Sequence, residues 1–203
     1  MLEELVQKSR SYRRYDASHI LSEETLRNLI DLTRFTPSAA NRQPLKYYLS
    51  CSAVTNALIF PCLGWAGYLK NWDGPSEGER PTGYIIILGD DRISSNVQYD
   101  HGIAAQTIML GAAERGLGGC MIASINRGRL KQELELPDYF SILLVLALGK
   151  PAEKVIVEPI AEHGSIQYWR DESGIHHVPK RSLDEIIVAH PSAQHMGTGR
   201  RHE

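Results

Sequence analysis

The sequence predicts a mixed α+β layer fold with several strands in one sheet, on three observations. Tyr84–Leu88 and Ile142–Leu148 are continuous apolar runs of strand length, as expected of strands buried on both faces. Between them, residues 97–115 carry the most persistent helical pattern in the chain. Strands and helices do not alternate as regular βαβ units, so a doubly wound parallel sheet is not indicated.

The elements follow in order. Residues 1–8 predict a short helix. Ser22 reads as an N-cap, with Glu23 and Glu24 in the first turn, where the helix dipole favours acids. Leu26, Leu29, Ile30 and Thr33 recur at helical spacing, which predicts an amphipathic helix over 23–34 ending before Pro37. Residues 46–51 predict a strand, and 53–70 a mostly helical stretch interrupted by Pro61 and Gly64. A polar loop runs from Asp73 to Pro81. Within 97–115, Ile103, Thr107, Leu110 and Leu117 mark one face, and Gly116 or Gly118 can end the helix. Gly119–Ser124 predicts a strand or its exit, and Asn126 caps a short helix reaching Leu136. Residues 166–169 and 175–178 flank Asp171-Glu172-Ser173-Gly174 as a hairpin, and 182–188 predict a short helix. We expect one domain over 1–190 and a loose tail over 191–203.

Bulk properties narrow the class. A chain of 203 residues can bury a proper core. Its net charge of -2 gives no basic field for nucleic acid. Its apolar runs are too short to span a bilayer, and Glu3 and Glu4 stand where a basic start would, so no signal peptide is expected. Three cysteines without a CxxC pair fit a reducing cytoplasm better than a disulfide scaffold.

Three segments carry chemistry. In Ser9-Arg10-Ser11-Tyr12-Arg13-Arg14-Tyr15, arginines and serines offer charged and hydroxyl donors suited to phosphate, although a solvated basic turn has the same composition. In Thr36-Pro37-Ser38-Ala39-Ala40-Asn41-Arg42-Gln43-Pro44, small residues would admit a flat ring and two amides would meet its polar edge. An ordinary helix-to-strand loop would also look like this. Gly116-Leu117-Gly118-Gly119-Cys120-Met121-Ile122-Ala123-Ser124 allows close backbone approach to a ligand, or is a helix cap followed by a core strand. It does not match GxGxxG, so no dinucleotide fingerprint is present.

In this order, together with Leu148-Gly149-Lys150-Pro151 and Lys180-Arg181, these segments resemble the nitroreductase-like FMN-dependent oxidoreductases over about residues 2–188. Ser9 stands where the family often has arginine, Leu45 where tryptophan is common and Ala123 where glycine is common; residues 62–81 do not match its larger members. The resemblance implies a mostly antiparallel central sheet flanked by helices, in an interlocked homodimer that binds FMN between subunits. It implies that Arg10, Ser11 and Arg13 hold phosphate and ribityl groups, with Arg181 adding charge. Pro37, Ser38, Ala39, Asn41 and Gln43 would meet the ring from the neighbouring subunit, and Ile122, Ala123 and Ser124 would present backbone to it. No side chain need act as acid or nucleophile, since flavin N5 exchanges hydride with NADH or NADPH and then with a small electron-poor acceptor such as a nitroaromatic or quinone. Arg13 is the candidate cation near the pyrimidine edge of the ring. Alternatives on the same fold are reductive dehalogenation, flavin destruction, or a non-catalytic flavin sensor.

Other residues have simpler readings. His176 and His177 should face opposite sides of a strand and lack further ligands, so no metal site is expected. Cys120 reads as a buried apolar residue. Trp65, Tyr68 and Trp72 recur at helical spacing and suit core or dimer packing, or a wall over the flavin. Asp100 and His101 are expected on a helix surface or a dimer contact. The small residues Gly102, Ala104, Ala105, Gly111, Ala112 and Ala113 are expected to bring that helix close to a second subunit.

Overall fold

The computed structural model describes residues 1–161 and 164–188, so the tail expected over 191–203 lies outside the described residues. The described chain gathers into two compact units, Met1–Lys154 and a second that begins at Val155.

The first unit contains α1 (Leu2–Lys8), α2 (Glu23–Asp31), β1 (Leu45–Ser50), α3 (Ala53–Ile59), β2 (Gly83–Asp90), α4 (Asp100–Glu114), β3 (Gly118–Ile122), α5 (Arg127–Glu133) and β4 (Phe140–Gly149). Its four strands form an antiparallel sheet in the order β1-β2-β4-β3. Every residue of β2 is buried, because the sheet is covered on both faces. Ile85 and Ile87 point to one side, into a core with Leu26 and Leu29 of α2 and Ala105, Ile108, Met109 and Ala112 of α4. Tyr84, Ile86 and Leu88 point to the other, into a core with Ile59, Trp65, Cys120 and Leu130. This two-sided burial is why the run is continuous rather than alternating. A register shift between Ile87 and Leu88 skips one residue of β4 and turns Ile142 to the same core as Val145 and Ala147.

Several elements differ from expectation. Helix α2 gives way to a tighter 3₁₀ turn over Leu32–Phe35, where Thr33 and Thr36 hydroxyls bond back to main-chain carbonyls. Beyond Ile59 the expected helix over 53–70 continues only as a 3₁₀ turn to Cys62. Trp65, Tyr68 and Trp72 are therefore not on one helix face: Trp65 is buried against Phe60, whereas Tyr68 is exposed. Helix α4 buries Ala104, Ala105, Ile108, Met109, Gly111 and Ala112 within the chain itself, and leaves Ile103 exposed. Ala104, Ala105, Gly111 and Ala112 are thus used internally, whereas Gly102 is exposed and Ala113 half-buried. A Cβ on Gly111 would lie 2.5 Å from Leu32 Cδ1, so glycine sets how closely α4 approaches the end of α2.

The second unit holds β5 (Val155–Pro159), β6 (Trp169–Arg170), β7 (His176–Lys180) and the short α6 (Leu183–Ile186). Strand β7 pairs with β6 as the expected antiparallel hairpin and with β5 in parallel, a strand that the sequence reading passes over. His176 is fully buried and His177 half-buried, as alternation on a strand requires.

Candidate functional site

The basic segment lies along the outer edge of β3. Ser11 forms a parallel bridge with Gly119, and the Tyr12 N–H donates to the Gly119 carbonyl at 2.9 Å. The segment thus covers the free edge of the sheet beyond β3. Gly118 and Gly119 make this possible. A Cβ on Gly118 would strike the Tyr12 ring and stand 2.7 Å from Pro151, and one on Gly119 would lie 2.5 Å from the Ala147 carbonyl.

Tyr15 anchors the segment in the core, with its hydroxyl donating to the Tyr12 and Ala147 carbonyls. Burial pushes that phenol well above its ordinary range, so it stays neutral. The chain that leaves β4 laces the segment from the other side. Asp16 N–H donates to the Lys150 carbonyl and Ala152 N–H to the Arg14 carbonyl, each at 2.9 Å. One oxygen of Glu153, Oε1, accepts the backbone N–H groups of both Arg13 and Arg14.

The side chains divide by role. Arg14 is committed to Glu79, with Nε 2.7 Å from Oε1. Arg10 sends Nη2 to the Val6 carbonyl, while its Nε is buried without a hydrogen-bond partner among the described residues. Ser11 is exposed. Farther along β3, Ile122 is buried and Ala123 and Ser124 are exposed. Gly64 backs this end: its N–H donates to the Ser124 carbonyl at 2.8 Å, and a Cβ there would meet Ser124 Oγ at 2.6 Å. From Gly118 to Ile122 the strand edge runs about 13 Å at the usual strand rise, with Ala123 and Ser124 just beyond it.

The loop before β1 is built separately. Asp100, at the start of α4, is 4% exposed and takes two hydrogen bonds from it, Ser38 Oγ at 2.6 Å and Ala39 N at 3.0 Å. Asp100 is therefore not exposed on the helix surface, contrary to that expectation. It is a buried acceptor whose partner lies about sixty residues away in sequence, which local patterning cannot reveal. Ser38 Oγ in turn accepts the Gln43 N–H at 2.9 Å. Ala40, Asn41 and Gln43 have φ of 51°, 52° and 52°. Asparagine tolerates this left-handed region, but alanine and glutamine do so at a cost of order 1–3 kcal/mol each. The strain holds the exposed Asn41 and Gln43 amides together, with Gln43 Nε2 3.1 Å from Asn41 Oδ1. A cavity of about 250 Å³ opens here, lined by Pro37, Ser38, Asn41, Gln43, Tyr47 and Asp100 among others.

The expected site residues thus fall into two groups within the first unit. Arg10, Ser11 and Arg13 are brought onto the same edge as Ile122, Ala123 and Ser124. Pro37, Ser38, Ala39, Asn41 and Gln43 are not brought to that edge, because they lead into β1 on the opposite side of the sheet. Leu45 pairs with Gly89, which pairs with Ser141, whereas Gly119 pairs with Leu148. The loop and the basic segment are therefore separated by about 23 Å along β4 and by three strand spacings, about 14 Å, across the sheet. Arg181 belongs to the second unit, where its Nη1 lies 3.2 Å from Glu185. Glu153, Asp100 and Gly64 are contributors to which sequence reasoning gave no part in the site.

The donor set fits a flavin mononucleotide: arginines and a hydroxyl for its phosphate and polyol, accessible backbone for the ring and amides for its polar edge. The family model described as the nitroreductase family matches residues 6–61 and 70–150, more than half of the chain. A comparison with curated proteins finds no match. Among solved structures, a nitroreductase family protein from Streptococcus pneumoniae TIGR4 is similar with a TM-score of 0.68 at 16% identity, over 94% of this chain and 100% of that one. A nitroreductase family protein from Clostridium novyi NT gives 0.62 at 23% identity, over 74% and 86%. An FMN-dependent nitroreductase from Clostridium difficile R20291 gives 0.60 at 22% identity, over 74% and 87%.

Proposed function

Because the chain belongs to the nitroreductase family, we propose that it is an FMN-dependent oxidoreductase that takes electrons from NADH or NADPH and passes them to nitroaromatics, quinones or related electron-poor molecules. The observation that carries this reading is the edge of β3, where Arg10, Ser11 and Arg13 lie at one end and the exposed Ala123 and Ser124 at the other. The FMN, once bound, supplies the hydride chemistry at its N5.

The chain's own residues bind and orient. Arg10 and Ser11 take phosphate and polyol oxygens; the buried, unpartnered Nε of Arg10 supports this assignment. Arg13 places a fixed cation beside the ring. The loop over 36–43 cannot reach this edge within one subunit, so a second copy supplies it, and the working unit is a homodimer. Phe35 and Tyr99, 80% and 81% exposed beside that loop and at the start of α4, support this reading.

Flavin-free protein titrated with FMN should bind it saturably, and the complex should bleach under anaerobic NADH or NADPH and recover when a quinone is added. Protein that binds FMN but is reduced by neither nicotinamide would overturn the electron-donor assignment.

A further inference from the structure

We propose that Glu153 is a positioning residue for Arg13: its carboxylate gathers two successive backbone N–H groups, fixes where the Arg13 side chain leaves the chain, and sets a negative charge against that of Arg13. The proposal rests on the flavin reading given above.

Glu153 Oε1 accepts from both the Arg13 and the Arg14 N–H, the second at 3.1 Å. Two consecutive N–H groups converging on one anion form a compact electrostatic clamp. The neighbouring Ala152 N–H donates to the Arg14 carbonyl at 2.9 Å, so residues 152 and 153 together engage both backbone polar groups of Arg14. Sheet pairing holds residues 11 and 12 of the segment, and the clamp holds 13 and 14. Arg13 thus leaves the chain at a point determined by a residue 140 positions away.

The charge acts as well as the contact. Burial pushes the Tyr15 and Cys120 acids up; Glu153 adds to that push and Arg13 opposes it, at both groups. The two charges therefore act on the same buried surroundings with opposite sign. A bound flavin that gains negative charge on reduction meets both, Arg13 favouring that charge and Glu153 opposing it.

Glu153→Gln keeps an acceptor oxygen and removes the charge, whereas Glu153→Ala removes both. In flavin-free protein, Glu153→Ala should lose hydrogen-exchange protection at the Arg13 and Arg14 amides, and Glu153→Gln should retain most of it. FMN affinity should fall roughly tenfold in the alanine variant, the scale of one lost charge-assisted hydrogen bond. It should stay within about threefold of the parent in the glutamine variant, which keeps that contact. The midpoint potential of the flavin in Glu153→Gln should rise. Unchanged amide protection in Glu153→Ala, or equal loss of FMN affinity in both variants, overturns the positioning role. A potential that stays or falls in Glu153→Gln overturns the charge role. Should the parent protein bind no FMN, the flavin reading fails, and the amide protection alone still decides whether Glu153 clamps the segment.

Discussion

Asp100 Oδ2 accepts the Ser38 hydroxyl at 2.6 Å while its other oxygen accepts the Ala39 N–H, so one buried carboxylate holds the loop that precedes β1. Asp100→Ala leaves two donors without their acceptor, at a cost of about 1–3 kcal/mol. It also removes the anchor beside Ala40 and Gln43, whose backbone is left-handed. Urea unfolding should show the lost stability and an FMN titration should show weaker binding. Unaltered FMN affinity in a destabilised Asp100→Ala protein would separate this loop from the cofactor.

Arg13 and Arg14 are neighbours with different duties. Arg14 is engaged by Glu79, which strengthens its hold on its proton, so Arg14→Ala should lower thermal stability and leave the flavin potential close to the parent's. Arg13→Ala should lower the midpoint potential, because a cation that favours reduced flavin is gone. Spectroelectrochemical titration of the two variants checks this, and a larger shift in Arg14→Ala would reverse the assignment.

The second subunit is testable through Tyr99. Its ring is 81% exposed, next to Asp100 and the loop it anchors. Wild-type protein should sediment as a dimer at micromolar concentration, and Tyr99→Glu should shift it towards monomer and weaken FMN binding together. A monomer that keeps its flavin would refute the shared site.

The second unit should respond to pH. His177 is held by Glu158 at 3.0 Å and Asp171 at 3.3 Å and stacks on Trp169 at 4.1 Å. The Glu158 hydrogen bond, aided by Asp171, raises the imidazole above its ordinary value. Its contribution is complete below about 6.5 and lost as pH rises through the raised value. The His177 and Trp169 hydrogen bonds lower the Glu158 carboxyl. Burial works against ionisation of Asp171, but the Ile175 amide and His177 together still lower it. Those contributions are complete above the ordinary carboxylate values near 4 and lost as pH falls through the lowered ones. The hairpin, only two residue pairs long in β6, should therefore be firmest at mildly acidic pH. Protection factors of its amides should decline towards pH 8 in the parent but not in His177→Gln. An NMR titration placing His177 at or below 6.5 would contradict this.

Much of the fold was legible because its signals were local. Ser22, Ser52, Asn126 and Ser182 each accept a backbone N–H at a helix start; all four lie at or beside helix starts read from the sequence, and Ser22 and Asn126 are read there as caps. The buried strands at 84–88 and 142–148 stood out because both faces are covered. Strand β5 was missed because Val155-Ile156-Val157 is a short apolar run whose pairing with β7 is set from outside it. The buried face of α4 did not stand out, because Ile108 and Met109 with flanking alanines and a glycine make the contact, whereas Ile103 is exposed. In the site, residue types were readable in each segment, but Asp100 and Glu153 act across long stretches of chain. Neither sits in a pattern of its own, so only the folded arrangement shows which backbone groups they hold.

The pairing of residues 11–14 with 119 and 152–153 has a consequence for biosynthesis. At about 5–20 residues per second, a ribosome needs on the order of ten seconds after making Arg13 to make Glu153. Throughout that interval the segment has been made but its neighbours have not. The proposed cofactor site is thus among the last parts of the first unit to be completed, although its first arginines are among the earliest residues translated. Loop closure over such a distance also slows refolding from denaturant. FMN capture should accordingly lag behind the recovery of helix in a stopped-flow experiment, and a chain truncated before Glu153 lacks the acceptor that Arg13 and Arg14 share.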